Sequence, residues 1–112
     1  MRSDEATLLD IQRACLLVMD FCKGLDKADL ARDLKTQSAV LHELQVLGEA
    51  VKRLSPEFRA NHPAIPWKVI AGMRDRLIHG YDRVDLEIVG AAAFQEVPAL
   101  LRHLEPLVPK EE

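Results

Sequence analysis

Pro66-Trp67-Lys68-Val69-Ile70-Ala71-Gly72-Met73-Arg74-Asp75-Arg76-Leu77-Ile78-His79-Gly80-Tyr81 is the stretch on which the fold turns. Trp67, Ile70, Arg74, Leu77 and Tyr81 follow one another at alternating spacings of three and four, which on a helix forms a single buried seam. Pro66 suits a first helical position and Gly80 a stop just after His79, so one helix is expected between them. Arg74 then sits at a core position. Its neighbours three and four residues away, Ile70, Ala71, Leu77 and Ile78, are all apolar, and a guanidinium there needs an interface or a pocket that supplies an anion.

The same periodicity extends outward. Ser3 with Asp4 and Glu5 starts a first helix, in which Leu8, Ile11, Cys15, Val18 and Cys22 keep the three-four spacing up to Gly24. Ala14, Leu17, Phe21 and Leu25 widen its apolar surface. A second helix, capped by Asp26 or Asp29, carries Leu30, Leu34, Gln37, Leu41, Leu44, Gly48 and Val51 and ends near Leu54. Ser55-Pro56 closes it, and residues 55–65 read as a loop with one turn at most. Asp85 caps a last helix along Leu86, Gly90, Ala93, Val97, Leu100 and Leu104, in which Pro98 predicts a kink or a break. The tail from Pro106 to Glu112 is expected to fray. Four helices without an alternating strand pattern imply an all-α protein, an antiparallel four-helix bundle with a kinked last helix, in one domain spanning residues 1–112.

Composition bounds the function. With 112 residues, 48% hydrophobic and 29% charged, the chain has the composition of a globular protein, and no apolar run approaches the roughly 18 residues of a membrane span. Met1 to Glu5 is polar and no signal-peptide core comes after it, so the cytoplasm is the expected location. The net charge of -3 excludes a surface that attracts nucleic acid everywhere and leaves room for a local basic pocket. Cys15 and Cys22, seven residues or roughly 10.5 Å apart on one helix, are too far for a disulfide within it and read as reduced core residues. His42, His62 and His103 show no metal-ligand spacing, and neither a metal nor another cofactor is expected.

The chemistry-bearing set is Arg74, His79 and Tyr81. Arg74 and His79 lie about 140° apart around an ideal helix, so they converge only at the helix end or across two subunits. Asp75, four residues before His79, can accept a ring N–H bond and favour the protonated imidazole, while Arg76 three residues before opposes this. Such a set suits metal-free RNA cleavage. Histidine moves the proton of a ribose 2′-hydroxyl or of the leaving oxygen, and arginine stabilises charge growing on the phosphate oxygens. One histidine is half of an acid and base pair, which a two-fold homodimer would complete.

The run RDRLIHGY at residues 74–81, with GEAVKRLS at 48–55 and HPAIPWKVIAGM at 62–73, closely resembles the HepT-like branch of the HEPN superfamily. The hallmark of that branch, an arginine, four residues, a histidine, one residue and a tyrosine, is matched by Arg74, His79 and Tyr81. The resemblance implies a helical homodimer acting as a toxin ribonuclease in a type VII-like HEPN/MNT toxin-antitoxin pair, with Arg74 and His79 of both subunits lining an RNA cleft. It also implies a partner, an MNT-type nucleotidyltransferase antitoxin that transfers AMP from ATP onto Tyr81 and so blocks phosphate binding. Asp75 departs from the asparagine frequent in relatives at that position. Gly90 departs from an expected larger aromatic residue.

Simpler roles exist for each residue. Arg74 could form a structural ion pair with Glu49, His79 could serve the C-terminal dipole of its helix, and Tyr81 could be a core aromatic with a wet tip. Glu49, with Lys52 and Arg53 beyond it, reads as a solvated face, and Trp67 as a core anchor. Two rival functions remain. One is a non-catalytic subunit presenting a nucleotide or substrate to a nucleotidyltransferase, and the other a bundle in which the motif only packs.

Overall fold

A computed structural model describes residues 3–79 and 83–109, and the chain forms an all-α bundle of helices. The helices are α1 (Asp4–Phe21), α2 (Lys27–Arg32), α3 (Leu34–Lys52), α4 (Pro56–Asn61), α5 (Trp67–Ala71), α6 (Met73–Leu77), α7 (Leu86–Ala91) and α8 (Val97–Leu104), with a π-helical turn, Ala92–Glu96, between the last two. Strands β1 (Ile78–His79) and β2 (Arg83–Val84) form a minimal antiparallel pair. All four helical stretches read from the sequence are therefore present, three of them interrupted.

The first is intact. Ser3 accepts the amide of Ala6 at 3.1 Å as its cap, and Leu8, Ile11, Cys15, Val18 and Cys22 are all buried, as their spacing requires. Gly24, at φ 80°, takes the left-handed conformation that turns the chain toward α2. The Asp4 carboxylate accepts both the amide and the hydroxyl of Ser55, at 2.8 and 2.6 Å. That contact ties the start of α1 to the end of α3, so the two helices run antiparallel along their shared core.

The second stretch breaks at Asp33. Its carboxylate accepts the Thr36 amide at 3.0 Å and hydroxyl at 2.7 Å, a cap that starts α3 afresh and takes Leu34 out of the seam to 75% exposure. Asp26 and Asp29 form a reciprocal capping box on α2. Gln37 joins the two pieces. Its buried amide donates to the carbonyls of Leu30 at 2.8 Å and Ala31 at 3.0 Å.

Residues 55–65 hold more helix than one turn. Ser55 accepts the Phe58 amide and Pro56 takes the first position of α4, the arrangement in which a missing N–H costs nothing. Asp85 accepts the Ile88 amide at 3.2 Å and caps α7. The irregularity expected at Pro98 is a π-turn just ahead of it, where the Val97 amide reaches back five residues to the Ala92 carbonyl. Buried Val89, Ala93, Val97 and Leu101 repeat every four residues, a spacing that drifts about 40° per step on an ideal α-helix. One inserted residue takes up that drift.

Two glycines show where helices meet. A Cβ on Gly48 would lie 3.1 Å from the Ile70 carbonyl, so α3 and α5 approach backbone to backbone. At Gly90, in place of the expected aromatic residue, the aliphatic stem of Lys27 fills the space. The tail expected to fray from Pro106 turns back as far as residue 109. Leu107 and Val108 pack on the core, and both amides donate to the Leu104 carbonyl. No helix among the described residues is long and apolar enough to cross a membrane.

Candidate functional site

The segment that carries the motif is not one straight helix. Gly72, at φ -87° and ψ 10°, ends α5, and its carbonyl then accepts the amides of Asp75 and Arg76, at 3.1 and 3.3 Å, to begin α6. The break resets the buried face of α6. Trp67, Ile70, Met73 and Leu77, all at most 6% exposed, form the buried seam at spacings of three, three and four. Met73 therefore holds the core position read from the sequence as that of Arg74. The physical reason is cost: a thioether enters an apolar seam freely, whereas a guanidinium there would need a buried anion.

Arg74 points instead to solvent. Its side chain is 64% exposed, and among the described residues it pairs with Asp75, itself 89% exposed, at 3.9 Å. Glu49 does not pair with it but lies 3.2 Å from Lys52, on the solvated face its sequence suggested. The guanidinium of Arg74 is thus available to an external anion.

Arg76 has the structural part. Its Nη2 donates to Glu96 Oε1 at 2.9 Å and lies 3.1 Å from Met73 Sδ, while its Nε is buried and makes no hydrogen bond among the described residues. The Arg76 and Glu96 side chains are 34% and 41% exposed, a half-buried pair that links α6 to the π-turn. Glu96 escaped the reading of the sequence. The available signal was its isolation as the sole acid between Glu87 and Glu105, two residues before the proline that marked an irregular helix.

The helix ends at Leu77, earlier than Gly80. The Leu77 carbonyl accepts the Asp85 amide at 2.9 Å instead of a helical N–H, and Ile78 and His79 enter β1, with His79 paired to Arg83 in register. The backbone of His79 is thereby fixed from two sides, by α6 before it and by β2 across from it. Gly80 and Tyr81 lie outside the described residues, as do the groups on which an Asp75 contact to the His79 ring depends. Trp67 anchors α5 as expected, buried and donating through Nε1 to the His62 carbonyl at 3.0 Å.

Nearby, a cavity of about 180 Å3 opens between α5 and α8, walled by Val69, Ile70, Met73, Val97 and Leu100. Its lining is mainly apolar and also includes Glu96 and His103. The exposed cation on the motif segment is Arg74. Among the described residues, no three His, Cys, Asp or Glu side chains gather so as to hold a metal ion.

The chain matches the family model of the HepT-like ribonucleases over residues 11–107. It is 36% identical over 112 residues, the whole of both chains, to "Putative RNase TTE0752" of Caldanaerobacter subterraneus subsp. tengcongensis. It is 38% identical over 106 residues to "Probable ribonuclease HepT" of Thermococcus cleftensis, covering 95% of this chain and 96% of that one. A third relative, "Putative RNase MJ0127" of Methanocaldococcus jannaschii, is 36% identical over 103 residues, 92% of this chain and 85% of its own. No solved structure matches. With the helical bundle and the Arg74 to His79 segment in place, these matches make the chain a member of the HepT-like ribonuclease family.

Proposed function

We propose that the protein is a metal-independent endoribonuclease, the toxin of a HEPN/MNT toxin-antitoxin pair, and that Arg74 and His79 carry its chemistry. The observation that supports this most is the solvent-facing Arg74. A cation held off the core, paired among the described residues with an exposed carboxylate at 3.9 Å, has little to lose on meeting a phosphate. His79 comes five residues later, on backbone pinned by the β1–β2 pair.

His79 takes the proton of a ribose 2′-hydroxyl as that oxygen attacks the adjacent phosphorus, and the 5′-oxygen leaves with a proton. Arg74 binds the phosphate and stabilises the charge that grows on its non-bridging oxygens. A single histidine cannot hold both proton positions at once, so a second copy supplies the other from across a two-fold axis. Val84 in β2 and Leu86 two residues beyond it, apolar and 37% and 41% exposed, offer a surface for that contact. Asp75 sets the local charge beside Arg74, and Arg76 holds the segment.

Tyr81 is the control point in this proposal. An MNT-type nucleotidyltransferase partner joins its phenolic oxygen to the α-phosphorus of ATP, with loss of the phenol proton and release of pyrophosphate. The phosphodiester so formed places negative charge two residues from His79 and competes for the cation that RNA needs. Expression of wild type, Arg74→Ala and His79→Ala forms in cells, each with and without the nucleotidyltransferase, tests the whole scheme. Growth arrest by wild type alone, relieved by the partner with a mass gain of one adenylyl group at Tyr81, is expected. Arrest by the His79→Ala form, or relief with Tyr81 unmodified, refutes it. A stable complex with no arrest by any form favours a non-catalytic subunit instead.

A further inference from the structure

We infer that Glu96 is a positioning residue for this site: through Arg76 it holds α6, and with it Arg74 and His79, against the π-turn. The inference rests on the ribonuclease reading above for its consequence in catalysis, but the mechanical link stands on the geometry alone. Three observations carry it. The first is the contact itself, Arg76 Nη2 to Glu96 Oε1 at 2.9 Å, which joins residues twenty positions apart in sequence. It lies on the segment between Arg74 and His79, two residues from the first and three from the second.

The second is the shortness of the segment. α6 has five residues, too few to be stable in isolation, and Gly72 cuts it off from α5. Met73 and Leu77 bury one side of it in the core, and the Asp85 amide takes the Leu77 carbonyl. These contacts fix its depth. On the side away from that burial, the Arg76 contact to Glu96 adds a hold against rotation about the helix axis, which decides where Arg74 points. The Met73 Sδ contact to the same Nη2 closes this into a three-point arrangement of Met73, Arg76 and Glu96.

The third is the π-turn. Glu96 is its last residue, and the single inserted residue shifts everything after Ala92 by about 100° relative to an unbroken α-helix. In that register Glu96 meets Arg76 while Val97, the next residue, stays in the core at 1% exposure. A local departure from α-helical geometry that aims one polar side chain at the motif segment is the usual setting of a π-bulge at a functional site.

The test compares purified wild type with Glu96→Ala, using a fluorescent RNA substrate at fixed salt. Glu96 touches no RNA in this account, so KM should change less than about threefold, while kcat falls about tenfold or more as the aligned geometry loosens. Glu96→Gln keeps the side-chain volume and serves if the alanine form does not fold. A lowered Tm with unchanged kcat overturns the inference and leaves the pair a plain structural contact. Native hydrogen exchange of the Asp85 and His79 amides provides an arm independent of activity. Exchange faster by about tenfold in the variant, with amides of α1 unchanged, supports the link, and unchanged exchange at both overturns it. If wild type cleaves no RNA, the ribonuclease reading fails, and the exchange arm alone still decides whether Glu96 holds the segment.

Discussion

Two arginines two residues apart should respond to the same substitution in opposite ways. Arg74 is 64% exposed and its ion pair with Asp75, at 3.9 Å, is at the limit of such contacts. An exposed pair in good geometry is worth up to about 1 kcal/mol, and one this long and this wet less. Arg74→Ala should therefore change stability by about 0.5 kcal/mol or less, or roughly 2 °C in Tm. Its effect on RNA cleavage should be large, on the order of 100- to 1,000-fold in kcat/KM, the usual loss when a donor to transition-state charge is removed. The slope of log affinity against log salt should flatten by about 0.7, as for one phosphate contact on a single strand. Arg76→Ala breaks the half-buried contact with Glu96 and should destabilise by about 1–3 kcal/mol. Thermal unfolding by circular dichroism and initial cleavage rates, read on both variants, decide the matter. A loss of more than about 5 °C in Arg74→Ala would mean that its guanidinium is part of the core, and unchanged cleavage would remove it from the phosphate site.

Other consequences concern the scaffold. Gln37→Leu fits the space but strips the α2 carbonyls of their buried donor, so stability should fall by about 1–3 kcal/mol, and an unchanged urea midpoint would show that Gln37 does not join α2 to α3. The Ser55 hydroxyl and amide hold the Asp4 carboxyl below its ordinary pKa. Its contribution is present above about pH 4 and is lost as pH falls through the lowered value, so the Tm deficit of Asp4→Asn should be largest near neutrality and shrink in acid. A deficit independent of pH contradicts that link. Burial pushes the Cys15 thiol up to about 12 and raises that of Cys22, so neither should react with a maleimide at pH 7 until urea unfolds the chain. Labelling of the native protein would place a thiol at the surface.

The periodicity of the sequence was enough for the helices and for most of the core, because a three-four apolar spacing has few alternative uses. It failed where two readings fit equally well. From Ile70 the seam can step three residues to Met73 or four to Arg74, and the choice depends on Gly72, whose break in the helix is tertiary: α5 must lie flush on α3 at Gly48. Asp33 shows the same limit, since an aspartate inside a periodic run reads as a solvated face until Thr36 makes it a cap. Spacing and residue type marked out the segment from Arg74 to Tyr81 as the candidate site. The partner that holds it did not show, because Glu96 lies twenty residues away and meets Arg76 only through an inserted π-turn whose sole sequence trace is Pro98.

In the proposed mechanism the face around Arg74 and His79 cleaves RNA without a metal. Its most direct measurement is cleavage of a defined RNA by purified protein in excess EDTA, wild type beside His79→Ala. Full wild-type activity under chelation is expected, with a loss of at least about 100-fold in the variant, the size of a general acid-base contribution. Activity abolished by EDTA, or undiminished in His79→Ala, would contradict it.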